Sequence, residues 1–171
     1  MNQLEEGRVE QLLGIINLYP AIRVMHFTDG DDLLSQKIYE LCREHEYEYQ
    51  LNTMDEISYE NLRRVYGDMP YVKVKQINPK QPRYATQAKL YDYLFVNSKI
   101  SDESRGEFVQ RCYGAIKNAG LIVIFISKDD LQEYYIWSDL LTDNNFVAIN
   151  KLDTFSHYDI VIAKKMHGWG G

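Results

Sequence analysis

Ile22–Leu34 (IRVMHFTDGDDLL) is the stretch on which the reading of this chain turns. Ile22–Phe27 is apolar enough for a buried strand, Thr28–Asp32 is a tight polar turn, and Leu33-Leu34 opens a helix. In an open α/β sheet the turn after the first strand lies at the carboxyl edge, at the switch point where ligands bind. Thr28, Asp29, Gly30 and Asp32 are therefore the first candidates for holding a ligand. The turn has three carboxylates and one glycine, so a dinucleotide pyrophosphate, which these acids would repel, is not expected.

Upstream, Val9, Leu12, Leu13 and Ile16 form a helical stripe within residues 4–18, which Tyr19-Pro20 ends. Downstream, Leu34, Ile38 and Leu41 mark a second helix, and Tyr47–Thr53 alternates as a second strand. Asp55–Tyr66 is a helix with Leu62 and Val65 facing inward, stopped by Gly67. Tyr71–Ile77 (YVKVKQI) has the period-two pattern of an edge strand with one wet face. Asn78–Lys89, with two prolines in four residues, starts as a loop. Tyr91–Ser98 is a strand. Ser101–Asn118 is a helix, with Ser101 as its N-cap and Gly120 as its stop. Leu121–Ile126 (LIVIFI) reads as a central strand covered on both faces. Asp129–Leu141 is helical, and Phe146–Leu152 and Tyr158–Lys164 are the last strands. Residues 166–171 form a loose tail.

Strands and helices that alternate at this spacing predict a single doubly wound, Rossmann-like α/β domain over residues 1–171. The last two strands break the rhythm. Only Asp153–His157 separates them, too little for a crossover helix, so they must form an antiparallel hairpin. The expected sheet is mostly parallel with a C-terminal antiparallel hairpin.

At 171 residues with a formal net charge of −6, the chain suits one soluble core and lacks the dense basic stretch of a general nucleic-acid binder. Cys42 and Cys112 sit in helical patterns and read as reduced core thiols of a cytoplasmic protein. No apolar run is long enough to span a bilayer, and the acidic start is unlike a signal peptide.

From about Val9 to Lys165 the chain resembles the class I S-adenosylmethionine-dependent methyltransferases in the order of its elements, with the best local matches in the second half. Leu90-Tyr-Asp-Tyr-Leu-Phe-Val is similar to that family's fourth strand, Ala115–Ile124 to its passage from helix to fifth strand, and Tyr158–Lys165 to its reversed seventh strand. The resemblance implies a methyltransferase-like fold with S-adenosylmethionine as cofactor. It places Thr28, Asp29, Gly30 and Asp32 around the cofactor, Asn52 or Asp55 on the ribose, Gln76 and Asn78 by the adenine, and Asn97-Ser98-Lys99 after the fourth strand, where catalytic or substrate residues follow. The cofactor turn departs from the family pattern. His26 stands where an acid is usual, and Thr28 and Asp32 stand where two of three glycines are usual. The alternative is a descendant of the fold that has lost the cofactor and acts as a protein-binding or assembly module. A substrate, a protein partner and a second copy of the chain are the partner classes left open.

Each candidate also has a plainer reading. Asp31 and Asp32 suit simple capping of a helix N-terminus. His26 suits a satisfied core histidine, and Trp137 suits packing of a helix on the sheet. Lys73, Lys75, Lys80, Arg83 and Lys89 suit either an edge strand protected from aggregation or a basic lip. No metal is expected, since neither a zinc nor an EF-hand spacing is present.

Overall fold

The computed structural model describes residues 3–86 and 88–166. The expected tail therefore lies, from His167 on, outside the described residues. Seven strands form one sheet: β1 (Arg23–Phe27), β2 (Glu48–Thr53), β3 (Val72–Gln76), β4 (Tyr91–Val96), β5 (Ile116–Ser127), β6 (Phe146–Asp153) and β7 (Tyr158–Lys165). Their order is β3-β2-β1-β4-β5-β7-β6. β1 to β5 run parallel, and β7 pairs antiparallel with both β5 and β6. The doubly wound sheet with its terminal hairpin is as expected.

Alternation of side chains across the strands divides the core into two layers. Helices α1 (Glu6–Leu13), α2 (Leu33–His45) and α3 (Glu56–Tyr66) cover the face that carries Val24, Tyr49, Leu51, Phe95 and Val123. Helices α4 (Arg105–Ala115) and α5 (Glu133–Asp143) cover the face with Met25, Phe27, Leu94, Ile122 and Ile124. The switch between faces falls between β1 and β4. Among the described residues no helix joins β3 to β4; residues 77–86 and 88–90 of that crossover are irregular. Tyr84 takes the missing helix's place in the core, packed at 5.3 Å from Phe27 and 5.8 Å from Phe108, with its hydroxyl donating to the Pro79 carbonyl at 2.6 Å.

Several boundaries differ from expectation for identifiable reasons. The first helix ends at Leu13, not residue 18, yet Ile16 stays buried. Val65 is 42% exposed, and Tyr66 is the buried residue of that turn. Ser104 rather than Ser101 occupies the N-cap position of α4, with no capping bond from its side chain. Helix α5 starts at Glu133 rather than Asp129. The largest shift concerns Gly120. Helix α4 has already ended at Ala115, and β5 starts five residues before Leu121 with a bulge opposite Tyr91–Tyr93. Gly120 sits at that bulge, where a Cβ would lie 2.4 Å from Ile116 Cγ2 and 3.0 Å from the Asp92 carbonyl. Its neighbour Ala119 takes a left-handed φ of 67°.

Two substitutions test the bulge. Gly120→Ala should cost about 2 kcal/mol, because rigid backbone oxygens must move. Ala119→Gly should gain about 0.5 kcal/mol, relief of strain slightly outweighing the added freedom of the unfolded chain. Urea-denaturation midpoints measure both, and equal effects of the same sign would contradict this account.

Candidate functional site

The turn from β1 into α2 is held almost wholly by its own side chains. Asp32 is the N-cap of α2: one oxygen accepts the Ser35 N–H at 2.8 Å, and the Asp32 N–H reaches Ser35 Oγ at 2.9 Å. This is a capping box with serine at the third helical position. Thr28 Oγ1 lies 2.9 Å from both the Gly30 carbonyl and Asp32 Oδ2. Asp31 accepts the Tyr66 hydroxyl at 2.6 Å, and the Asp29 carbonyl accepts the Ser58 hydroxyl at 2.6 Å.

Asn97, immediately past β4, ties this turn to the sheet. Its Nδ2 donates to Asp32 at 2.8 Å, so its Oδ1 is the atom facing His26 Nε2 at 2.6 Å. An amide oxygen only accepts. His26 Nε2 must therefore carry the proton, and Nδ1 accepts from the Tyr49 hydroxyl at 2.7 Å. The result is an ordered chain, Tyr49 to His26 to Asn97 to Asp32, which ends on a carboxylate. Complete burial holds the His26 pKa below its ordinary value, against an opposing pull from Asp32, and favours the neutral ring. With both nitrogens engaged and no exposure, His26 is not a base for an external ligand.

The residues singled out from sequence divide into two groups. Thr28, Asp32 and Asn97 are spent on one another, and Asp55 is the N-cap of α3, accepting the Ser58 N–H at 2.8 Å. Asp29, Gly30, Asn52 and Gln76 keep capacity to spare. Asp29 is exposed at the rim and accepts the Lys99 N–H at 2.9 Å. Partial burial raises its pKa despite that bond. A Cβ built on Gly30 would meet nothing within 4 Å, so the glycine leaves open space beside the turn. Asn52 is fully buried and its Nδ2 has no partner, while its Oδ1 accepts from Gln50. Gln76 is exposed at the end of β3, across the sheet from Asn97.

Between the ends of β4 and β5 lies a cleft of about 370 Å³ whose lining includes Asp29, Ser98, Arg105, Glu133, Trp137 and Tyr158. Ser98 Oγ is buried without a partner. Arg105 Nη2 pairs with Glu133 at 2.8 Å, Glu133 accepts the Trp137 Nε1–H at 2.9 Å, and the Arg105 guanidinium stacks 4.9 Å from the Trp137 ring centre. Ser98 belongs to the Asn97-Ser98-Lys99 run that the resemblance singles out after the fourth strand. Sequence reasoning missed Arg105 and Glu133, whose pair spans 28 positions with no local pattern. Among the described residues no group of three or more histidine, cysteine or acidic side chains could hold a metal. None of the described helices is long and apolar enough to cross a membrane.

No protein-family model matches the sequence, and no curated protein matches it. Solved structures do. The S-adenosylmethionine-dependent O-methyltransferase of Thermotoga maritima superposes with a TM-score of 0.76 at 11% identity, covering 99% of this chain and 69% of that one. A putative methyltransferase of Thermoplasma acidophilum gives 0.69 at 14%, covering 93% and 75%. The CurJ carbon methyltransferase gives 0.69 at 10%, covering 92% of this chain, which spans about half, 52%, of its length. At such identities the likeness is one of architecture, and it agrees with the strand order found here. The chain has the Rossmann-like fold of the class I methyltransferases.

Proposed function

We propose that this protein binds S-adenosylmethionine at the carboxyl ends of β1, β2 and β4 and acts as a methyltransferase with a rebuilt cofactor turn. The observation that carries this reading is a set of buried polar atoms with no partner at these strand ends: Asn52 Nδ2, Thr53 Oγ1 and Ser98 Oγ. Each such atom costs about 1–3 kcal/mol until something bonds to it. A polar ligand laid across the strand ends would meet that need. The open side of Gly30 provides room for one.

When bound, S-adenosylmethionine supplies an electrophilic methyl group on a sulfonium. The residues available to it are those the turn has not already consumed. Asn52 would take a ribose hydroxyl, with Asp55 beside it already committed to its cap. Gln76 would approach the adenine. Asp29 would face the ligand's ammonium, while Thr28, Asp32 and Asn97 hold the turn in shape behind it. Acceptor and methyl would meet in the cleft between β4 and β5.

Isothermal titration with S-adenosylhomocysteine tests the reading. Micromolar binding that Gly30→Trp abolishes, in a protein that still melts cooperatively, is the expected result. Absence of heat from a folded sample would remove the proposal and favour a cofactor-free binding module.

Asp29 and Asp32 should separate cleanly. Asp32→Ala should lose about 3 kcal/mol of stability, since the helix cap goes and Asn97 and Thr28 lose a charged acceptor. Asp29→Asn should keep its stability at pH 7 but bind S-adenosylhomocysteine about tenfold more weakly, the worth of one charged contact. Because the Asp29 pKa is raised, wild-type affinity should fall as pH drops into the carboxylate range, as ammonium binding needs the ionised form. Asp29→Asn should lack that fall.

A further inference from the structure

The chain is acidic overall, with 25 carboxylates against 19 lysines and arginines, yet one region has no acid at all. A groove of about 860 Å³ runs along the free edge of β3, with Lys75, Gln81, Arg83 and Tyr84 in its walls, and no carboxylate lines it. A second cavity of about 390 Å³ shares Arg83–Thr86 with the first and adds Arg111, again with no acid. Two adjoining hollows thus present three cations, Lys75, Arg83 and Arg111, and no acid.

Edge-strand protection can use exposed lysines and inward-pointing charges alike, so what singles Lys75 out is its half-buried place in the groove wall. It is the register partner of Asn52 across the β2–β3 ladder, so it stands on the face that segment 78–86 covers, where Gln50 Nε2 donates to the Tyr84 carbonyl at 3.0 Å. Among the described residues neither Lys75 nor Arg83 has an ion-pair partner. Lys89 differs, since it pairs with Glu48 at 3.4 Å. Burial and the nearby charges of Lys73 and Lys89 lower the Lys75 pKa. Its charge is thus held in place at a cost, and no ion pair among the described residues offsets it.

We propose that this groove is a binding site for a phosphate-bearing ligand of nucleotide size, held by Lys75 and Arg83 with Arg111 at its far end. The crossover without a helix creates the space, since a helix in that layer would cover the β3 face. Taken singly, each hollow falls in the size range of small-molecule sites. A short ligand suits it better than a long polyanion, because the rest of the surface carries net negative charge and would repel phosphates that extend beyond the groove.

Inorganic tripolyphosphate titrated into ¹⁵N-labelled protein at low salt is the test. Amide shifts should concentrate in residues 74–77 and 81–86. Lys75→Gln with Arg83→Gln should weaken binding at least about tenfold, while Lys151→Gln, on β6, should not. Both variants remove side chains that make no ion pair, and an unchanged melting curve verifies the fold. The groove shares Gln76 with the proposed adenine contact, so the two fates are separated from the other side: tripolyphosphate binding should persist in Gly30→Trp, which blocks the cofactor site and leaves Lys75 and Arg83 untouched. The inference fails if tripolyphosphate does not bind, if its shifts spread over lysines around the whole surface, or if the double variant binds as the wild type does. An oligothymidylate that binds far more tightly, and more so with length, would overturn it in favour of a nucleic-acid track.

Discussion

The Asn97 amide is the contact on which this carboxyl edge depends. Among the described residues it is the one side chain that bonds both to β1, through His26, and to the head of α2, through Asp32. An amide can do this because it offers an acceptor and a donor on one planar group. Reversing its orientation would set two acceptors against each other at Asp32. The neutral His26 ring, the Tyr49 hydroxyl and the helix cap all follow from that single orientation.

This changes how the unusual residues of the turn should be understood. His26, Thr28 and Asp32 belong to one hydrogen-bond system, in which the strand histidine reaches the helix-cap carboxylate through Asn97. Glycines in such a turn let a ligand approach the backbone; here the side chains themselves build the turn, and Gly30 has open space beside it.

Most of the fold was legible in the sequence because it rests on local quantities. Period-two alternation located β3, the five-residue gap before Tyr158 forced the hairpin, and the acids ahead of Leu33 indicated a capped helix. Boundaries failed where two local signals overlapped. Ile116–Gly120 continues a helical stripe, and only its pairing with β4 draws it into the sheet as a bulged start to β5. The site was legible in part. Its position at the end of β1 follows from topology, whereas the links that decide which carboxylates are spent, such as Asn97 to Asp32 across 65 positions and Arg105 to Glu133, exist only once the chain is folded.

The tyrosine that replaces a helix between β3 and β4 bears on the cooperativity of the molecule. The described part of residues 77–90 lacks the internal backbone ladder that a helix would supply, and β3 has one neighbouring strand where β1 and β4 have two. Few internal bonds and one sheet neighbour favour local opening. Tyr84 opposes it, because its buried ring ties the crossover to Phe27 on β1 and Phe108 on α4, so opening of the β3 edge is coupled to the core through one side chain.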